Sequence, residues 1–175
     1  ALTNALVALE WGVDRVHGCG LGIGERTGNT PIDLVLLNLH LLGVLDPSRH
    51  DRHALVEYVE RVSAATGVPI PASYPLAGRD AFRTATGVHA AAVAKARAVG
   101  DLDLADRVYS SVPAHAFGRE QEIAVGHYSG RANVVWWLRQ HGYEARPELV
   151  ARVLEHAKGQ DRILADEELH ALARG

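Results

Sequence analysis

The sequence predicts an α/β beginning followed by a mainly α-helical remainder. Three observations carry that expectation. A glycine-rich segment, VDRVHGCGLGIG, lies between two apolar stretches with helical character and reads as a short buried strand running into a loop. From residue 51 onward the apolar residues recur at helical spacing with few strand signals. The turn pair Asp46-Pro47 separates the two parts, so the expected domains are 1–45 and 46–175.

In chain order, ALTNALVALEWG places Leu2, Leu6 and Leu9 on one helical face and stops at Gly12, with no start signal ahead of it. After the glycine-rich strand and loop, Thr30 is a candidate cap, Pro31 suits the first helical position and Asp33 suits the positive end of the helix dipole. The helix through LVLLNLHLLG is apolar nearly all round and is expected to be buried on several sides. Helix, strand, loop and helix in that order predict the final β/α unit of a parallel α/β structure. Residues 51–66 are amphipathic through Leu55, Val59 and Val62. A proline-bearing linker, VPIPASYPLAGRD, leads to an alanine-rich helix near 88–99 and a further helix over 101–110. Helices are also predicted over 130–141, over 147–158 behind Pro147, and over 166–174 behind Asp166, Glu167 and Glu168.

Composition narrows the function classes. The 175 residues are 47% hydrophobic and 22% charged with a net charge of −3, which gives no electrostatic footprint for nucleic acid or an anionic membrane. The apolar stretch from Leu34 to Leu45 is interrupted by Asn38, His40 and Gly43 and is too short to span a bilayer. The single cysteine, Cys19, excludes an internal disulfide framework, and a cytoplasmic location is expected. Methionine is absent even at position 1, so either an initiator preceded Ala1 or this is a piece of a longer chain.

The chemistry-bearing segment is GCGLGIGERTGN. Glycines at 18, 20, 22, 24 and 28 allow close backbone approach to a ligand and leave amides for anionic oxygens. The dinucleotide fingerprint fails because Glu25 stands where its third glycine belongs, and no Gly-Lys-Ser/Thr closes a phosphate loop. A turn with no ligand is the plain alternative.

The segment VHGCGLGIGERTGNTPIDLVLLNL resembles the last barrel strand and loop of the isopropylmalate, homocitrate and citramalate synthases, whose hallmark there is Gly-x-Gly-Glu-Arg-x-Gly-Asn. Gly22, Gly24, Glu25, Arg26, Gly28 and Asn29 match it position for position. GRDAFRTATGVHAAAVAKA resembles the family segment in which a histidine follows a small-residue turn. RVYSSVPAHAFGREQEIAVGHYSGRANV resembles its tyrosine, Phe-Gly-Arg and Ser-Gly-Arg segment, and GQDRILADEELHAL the end of its subdomain. The resemblance implies the C-terminal β/α unit of a TIM barrel followed by a helical subdomain. It implies Claisen-type condensation of acetyl-CoA with a 2-oxo acid, 3-methyl-2-oxobutanoate first, to a 2-alkylmalate-type product and free CoA, with homocitrate- and citramalate-forming reactions as alternatives. It places Asn29 at a divalent metal (Mg, Mn or Zn), and Glu25, Arg26 and Gly28 beside the substrates. His89 and Tyr109 match subdomain residues that reach a neighbouring protomer's active site, which implies a homodimer or a complementary barrel chain.

Those residue types suit the chemistry. Deprotonating an acetyl methyl needs a base, which His89 could supply, with Tyr109 as donor or orienter. An amide oxygen such as that of Asn29 is a reasonable contact for a hard cation. Local readings compete. Asn29 could cap the helix at Pro31, Glu25 and Arg26 could form an ion pair, His89 could be a hydrogen-bonded helix-start residue, and Tyr109 could be ordinary amphipathic surface. Cys19 reads as packing, His50 and His53 as a solvated face, and Ser129-Gly130-Arg131 as either an anion receptor or a helix cap.

No His-x-His pair occurs in this sequence, the family's metal-site Arg-Asp pair belongs to its first strand, and one β/α unit cannot close a barrel. The chain alone is therefore expected to be inactive, either as a fragment of a longer enzyme or as a partner subunit completing a split one. Two readings from other classes remain: a non-catalytic assembly module, and a free-standing helical domain that binds a small acid. The regulatory domain some isopropylmalate synthases carry is not expected here.

Overall fold

The computed structural model describes residues 1–46 and 48–175, so the Pro47 half of the expected Asp46-Pro47 boundary lies outside the described residues. The chain divides into two compact units, Ala1–Ala81 with Ala116–Gly118, and Phe82–His115 with Arg119–Gly175.

The first unit contains α1 (Leu2–Glu10), α2 (Ile32–Leu41) and α3 (Ala54–Thr66). Its core is built from Ala5, Val35, Leu37, Leu55, Val59, Leu76, Ala77 and Phe117, all buried. Helix α2 is less enclosed than its composition predicts. Val35 and Leu37 are inside, while Leu41 and Leu42 at its end are exposed. Helix α1 ends before Gly12 as expected.

The short strand predicted to run into the glycine-rich loop within residues 13–24 is not formed among the described residues. Cys19 is extended, with φ −128° and ψ 154°, and makes one isolated parallel bridge to Pro31. Directly after it the chain turns through a single 3-10 turn at Gly20–Gly22. The physical reason is pairing. A strand persists by ladder bonds to neighbouring strands, and among the described residues the Cys19 backbone bonds to Thr30 O, the Ile32 amide and the Gly22 amide, with no second strand beside it.

The second unit runs β1 (Arg83–Thr84), α4 (Gly87–Ala98), α5 (Leu102–Arg107), β2 (Glu122–Ile123), α6 (Arg131–Gln140), α7 (Pro147–Lys158) and α8 (Asp166–Arg174). Strands β1 and β2 pair in parallel, with Arg83 opposite Glu122 and Thr84 opposite Ile123. The Arg83 Nε to Glu122 Oε1 ion pair at 2.9 Å covers this ladder. Each strand feeds a helix, so α4 and α6 both begin at the C-terminal edge of the pair. Their first turns meet backbone to backbone: a Cβ on Gly87 would lie 2.9 Å from the Gly130 amide nitrogen. Only glycine permits that approach.

Helices α6, α7 and α8 share a core of Val134, Trp137, Leu138, Leu149, Val150, Val153, Ala157, Leu164 and Leu169. Leu138 is fully buried there. Leu138→Ala is expected to cost about 2–5 kcal/mol through lost burial and the cavity left behind, readable as a lowered denaturation midpoint of this unit. The Trp137 indole N–H donates to Asp166 Oδ1 at 2.8 Å, which fixes the start of α8.

The same helix is held electrostatically. Glu168 accepts from Arg162 at 2.9 Å and meets His156 Nε2 at 2.8 Å. Those bonds, Arg162 first and His156 second, hold its carboxyl down at about 2. A depressed carboxyl contributes stability that is present above its unfolded value, about 4.3, and lost as pH falls toward the folded one. The protection of the α8 amides relative to their intrinsic exchange should therefore fall between about pH 4.3 and 2, and Glu168→Gln should remove that pH dependence. An α8 exchange profile unaffected by the substitution would contradict the assignment.

Candidate functional site

In the first unit the candidate residues lie on the loop between Cys19 and Pro31. The loop closes on itself: the Cys19 amide donates to Thr30 O (3.0 Å), the Asn29 amide to Gly22 O (2.8 Å) and the Gly28 amide to Glu25 O (3.0 Å). Gly28 has φ +94°, and a Cβ there would collide with the Gly22 carbonyl oxygen, so the position requires glycine for both conformation and space. Glu25 and Arg26 stand exposed at the tip, Arg26 with φ 53°, and no ion pair joins them.

Asn29 does not cap α2. Its Nδ2 donates to Ile23 O at 3.2 Å and approaches Cys19 Sγ at 3.5 Å, and its Oδ1 accepts no hydrogen bond among the described residues. Thr30 does not cap it either; α2 begins at Ile32 behind Pro31 without a side-chain cap. Asp33 acts beyond the dipole role read from sequence. It is 1% exposed, accepts the Leu21 amide at 2.9 Å through Oδ1 and the Tyr74 hydroxyl at 2.6 Å through Oδ2. The glycine loop is thereby pinned to α2 and to the proline-bearing linker at once. Burial, followed by the bond to Asp33 and its nearby charge, pushes the Tyr74 phenol above its ordinary value.

A divalent ion takes six or more oxygen ligands or a smaller set of His, Cys and carboxylates. Among the described residues no three His, Cys, Asp or Glu side chains converge to hold one. Asn29 offers a single free amide oxygen, so the described residues do not by themselves make a metal centre. Cys19 is half-buried and free, held against the Asn29 amide. His50 and His53 are exposed; the His50 ring meets His40 edge-on at 6.2 Å.

In the second unit His89 is the third residue of α4, and its imidazole lies 4.7 Å from the Tyr109 ring at an interplanar angle of 36°. Both residues are exposed, Tyr109 at 37%. Neither the imidazole nor the phenol has a hydrogen-bond partner among the described residues, so both are open to an incoming molecule; the locally bonded histidine read as an alternative is not formed. Position 109 lies beyond the end of α5, which stops at Arg107 and not at residue 110 as predicted. Asp101 caps that helix through the Leu104 amide at 2.9 Å.

Ser129 is neither anion receptor nor cap. It is 5% exposed, and its hydroxyl accepts the Gly126 amide at 2.8 Å and donates to Ala85 O at 2.7 Å. That bond ties the ends of the two strands together beneath the α4 and α6 starts. The cap of α6 is provided instead by Asn133, whose Oδ1 accepts the Gly130 amide at 3.0 Å.

Sequence reasoning missed two buried carboxyl groups. Asp33 had one signal, an acid in an otherwise apolar helix. Asp106, 3% exposed, accepts both the backbone amide (2.9 Å) and Nδ1 (2.6 Å) of His115, a pairing that no local spacing announces.

Residues 1–63 match the HMGL-like family, of the TIM-barrel superfamily. Among similar proteins, homocitrate synthase AksA of Methanopyrus kandleri is 31% identical over 177 residues, covering 99% of this chain and 42% of that protein. The (R)-citramalate synthase of Aquifex aeolicus is 33% identical over 149 residues, 85% of this chain and 26% of its own length. A probable 2-isopropylmalate synthase of Ignicoccus hospitalis is 30% identical over 158 residues, 90% and 37% respectively. The chain thus spans less than half the length of these relatives. By these matches the chain is similar, over most of its own length, to the homocitrate, citramalate and isopropylmalate synthases.

Proposed function

We propose that this chain supplies one end of the active site of an enzyme that condenses acetyl-CoA with a 2-oxo acid, residues 1–45 as a β/α unit of a TIM barrel and residues 46–175 as a helical subdomain. The observation that carries the reading is the His89–Tyr109 pair, two side chains twenty positions apart that meet at an open surface with their polar atoms unpaired. A solvent-facing imidazole beside a phenol suits proton movement and has no packing duty.

In this reading His89 carries a proton to or from the acetyl group, and Tyr109 orients or donates. The loop tip contributes Glu25, Arg26 and Gly28 to the border of the substrates, where the closed Gly28 turn keeps the backbone near them. Asn29 gives one oxygen contact to a divalent ion (Mg, Mn or Zn) whose other ligands lie outside the described residues. The acceptor is a 2-oxo acid, with 3-methyl-2-oxobutanoate ranked first; the relatives' names span three products, and homocitrate and citramalate formation are the alternatives. A homodimer or a complementary barrel chain completes the site, in the cytoplasm. No helix among the described residues is long and apolar enough to cross a membrane.

The test is release of free thiol from acetyl-CoA by the complete enzyme, with a panel of 2-oxo acids and each of the three metals. Acceptor-dependent release supports the reading. Thiol release that no 2-oxo acid stimulates, under any metal, would leave the chain an assembly module.

A further inference from the structure

We propose that Asp106 and Gln121 are positioning residues for Tyr109, clamping the turn that presents its ring to His89. The inference rests on the reading that His89 and Tyr109 work as a pair.

Tyr109 lies past the last turn of α5, where helical bonding alone no longer fixes a side chain. Two buried polar side chains act on either side of it. Three residues before it, the Asp106 side chain accepts the backbone amide and Nδ1 of His115, and the Asp106 carbonyl receives the amides of Tyr109 (3.3 Å) and Ser110 (2.9 Å). One residue after it, the Ser110 hydroxyl accepts Gln121 Nε2 at 2.7 Å. The outgoing strand of the loop is therefore stitched at 106 to 115 and at 110 to 121, with Tyr109 between the stitches.

The cost of these groups argues for a purpose. Asp106 is 3% exposed and Gln121 5%, and the Gln121 Oε1 is buried without a hydrogen-bond partner. A buried amide oxygen left unmatched is unfavourable, and an apolar side chain would fill this space with no such cost. What glutamine provides, and an apolar residue cannot, is the bond to Ser110. Leu102 and Leu104 of α5 are exposed while Ala105 and Asp106 are buried, and the Asp106 carboxylate is bonded to His115 of the returning loop.

The clamp is tested on the chain itself by the ring-current displacement of the His89 ring protons, with Tyr109→Ala as the reference for complete loss. Asp106→Asn and Ser110→Ala should each move the His89 signals toward that reference while the amide spectrum of α6 to α8 stays native. Should Asp106→Asn unfold the unit, Ser110→Ala, which removes one hydroxyl and no charge, decides alone. Wild-type His89 signals in the folded variants overturn the proposal. In the complete enzyme the same variants should lower kcat by about 10²-fold with KM little changed, the penalty of a misplaced catalytic group. Displaced His89 signals with undiminished kcat would uphold the clamp and count against the proton-carrying role of the pair.

Discussion

Replacing His89 by alanine is expected to lower turnover of the complete enzyme by about 10²- to 10⁴-fold, the range that a positioned acid or base contributes. The effect should fall on kcat, because the imidazole acts on the reacting proton and does not anchor the substrates. Folding should be untouched. His89 is exposed, makes no hydrogen bond among the described residues, and is followed by Ala90, whose burial belongs to the α4 core and not to the histidine. Tyr109→Phe keeps the ring that packs at a tilt against His89 and removes only the hydroxyl, so its loss should be smaller than that of His89→Ala. Steady-state thiol release for the two variants checks the order. If both retained wild-type turnover, the pair would be ordinary surface.

The second large effect is on stability. Asp33→Ala should destabilise the first unit by about 2–4 kcal/mol, because it leaves the Leu21 amide and the Tyr74 hydroxyl without their shared acceptor. Asp33→Asn, which can still accept from Leu21, should cost less. The Leu21 amide is the local reporter: its hydrogen exchange should rise sharply in the alanine variant. Tyr74 adds a pH signature. Its folded phenol is raised, so its contribution is complete below the ordinary tyrosine value, about 10, and is lost as pH rises beyond it. Tyr74→Phe should be less stable than the parent at neutral pH and should lack this alkaline loss. A parent stability that does not decline above pH about 10 relative to Tyr74→Phe would contradict the assigned bond.

Much of the helical layout was legible in the sequence because its signals are local. Pro147 at a first helical position and the acidic run Asp166-Glu167-Glu168 placed α7 and α8 at their observed bounds. The strands were not legible. Two-residue segments such as Arg83–Thr84 have no period to detect, and their existence depends on a partner 39 residues away. The strand expected near Cys19 failed for the converse reason: its alternation was present, but among the described residues nothing pairs with it except its own loop. For the candidate site, motif resemblance named His89 and Tyr109, whereas their contact, and the bonds of Asp106 to His115 and of Gln121 to Ser110, are tertiary facts that no spacing encodes. Asn29 shows the opposite limit. Its place ahead of Pro31 suggested a cap, yet the loop closure turns its amide toward Ile23 and Cys19.

The account turns on His89 moving a proton of the acetyl group. The direct measurement is the isotope effect on turnover with acetyl-CoA deuterated at the methyl, compared between the complete enzyme and its His89→Ala variant. Removing the proton carrier should make that transfer limiting, so the variant should show a slower rate and a larger primary isotope effect than the parent. An unchanged rate with an unchanged isotope effect would place the proton on another group and leave His89 outside the chemistry.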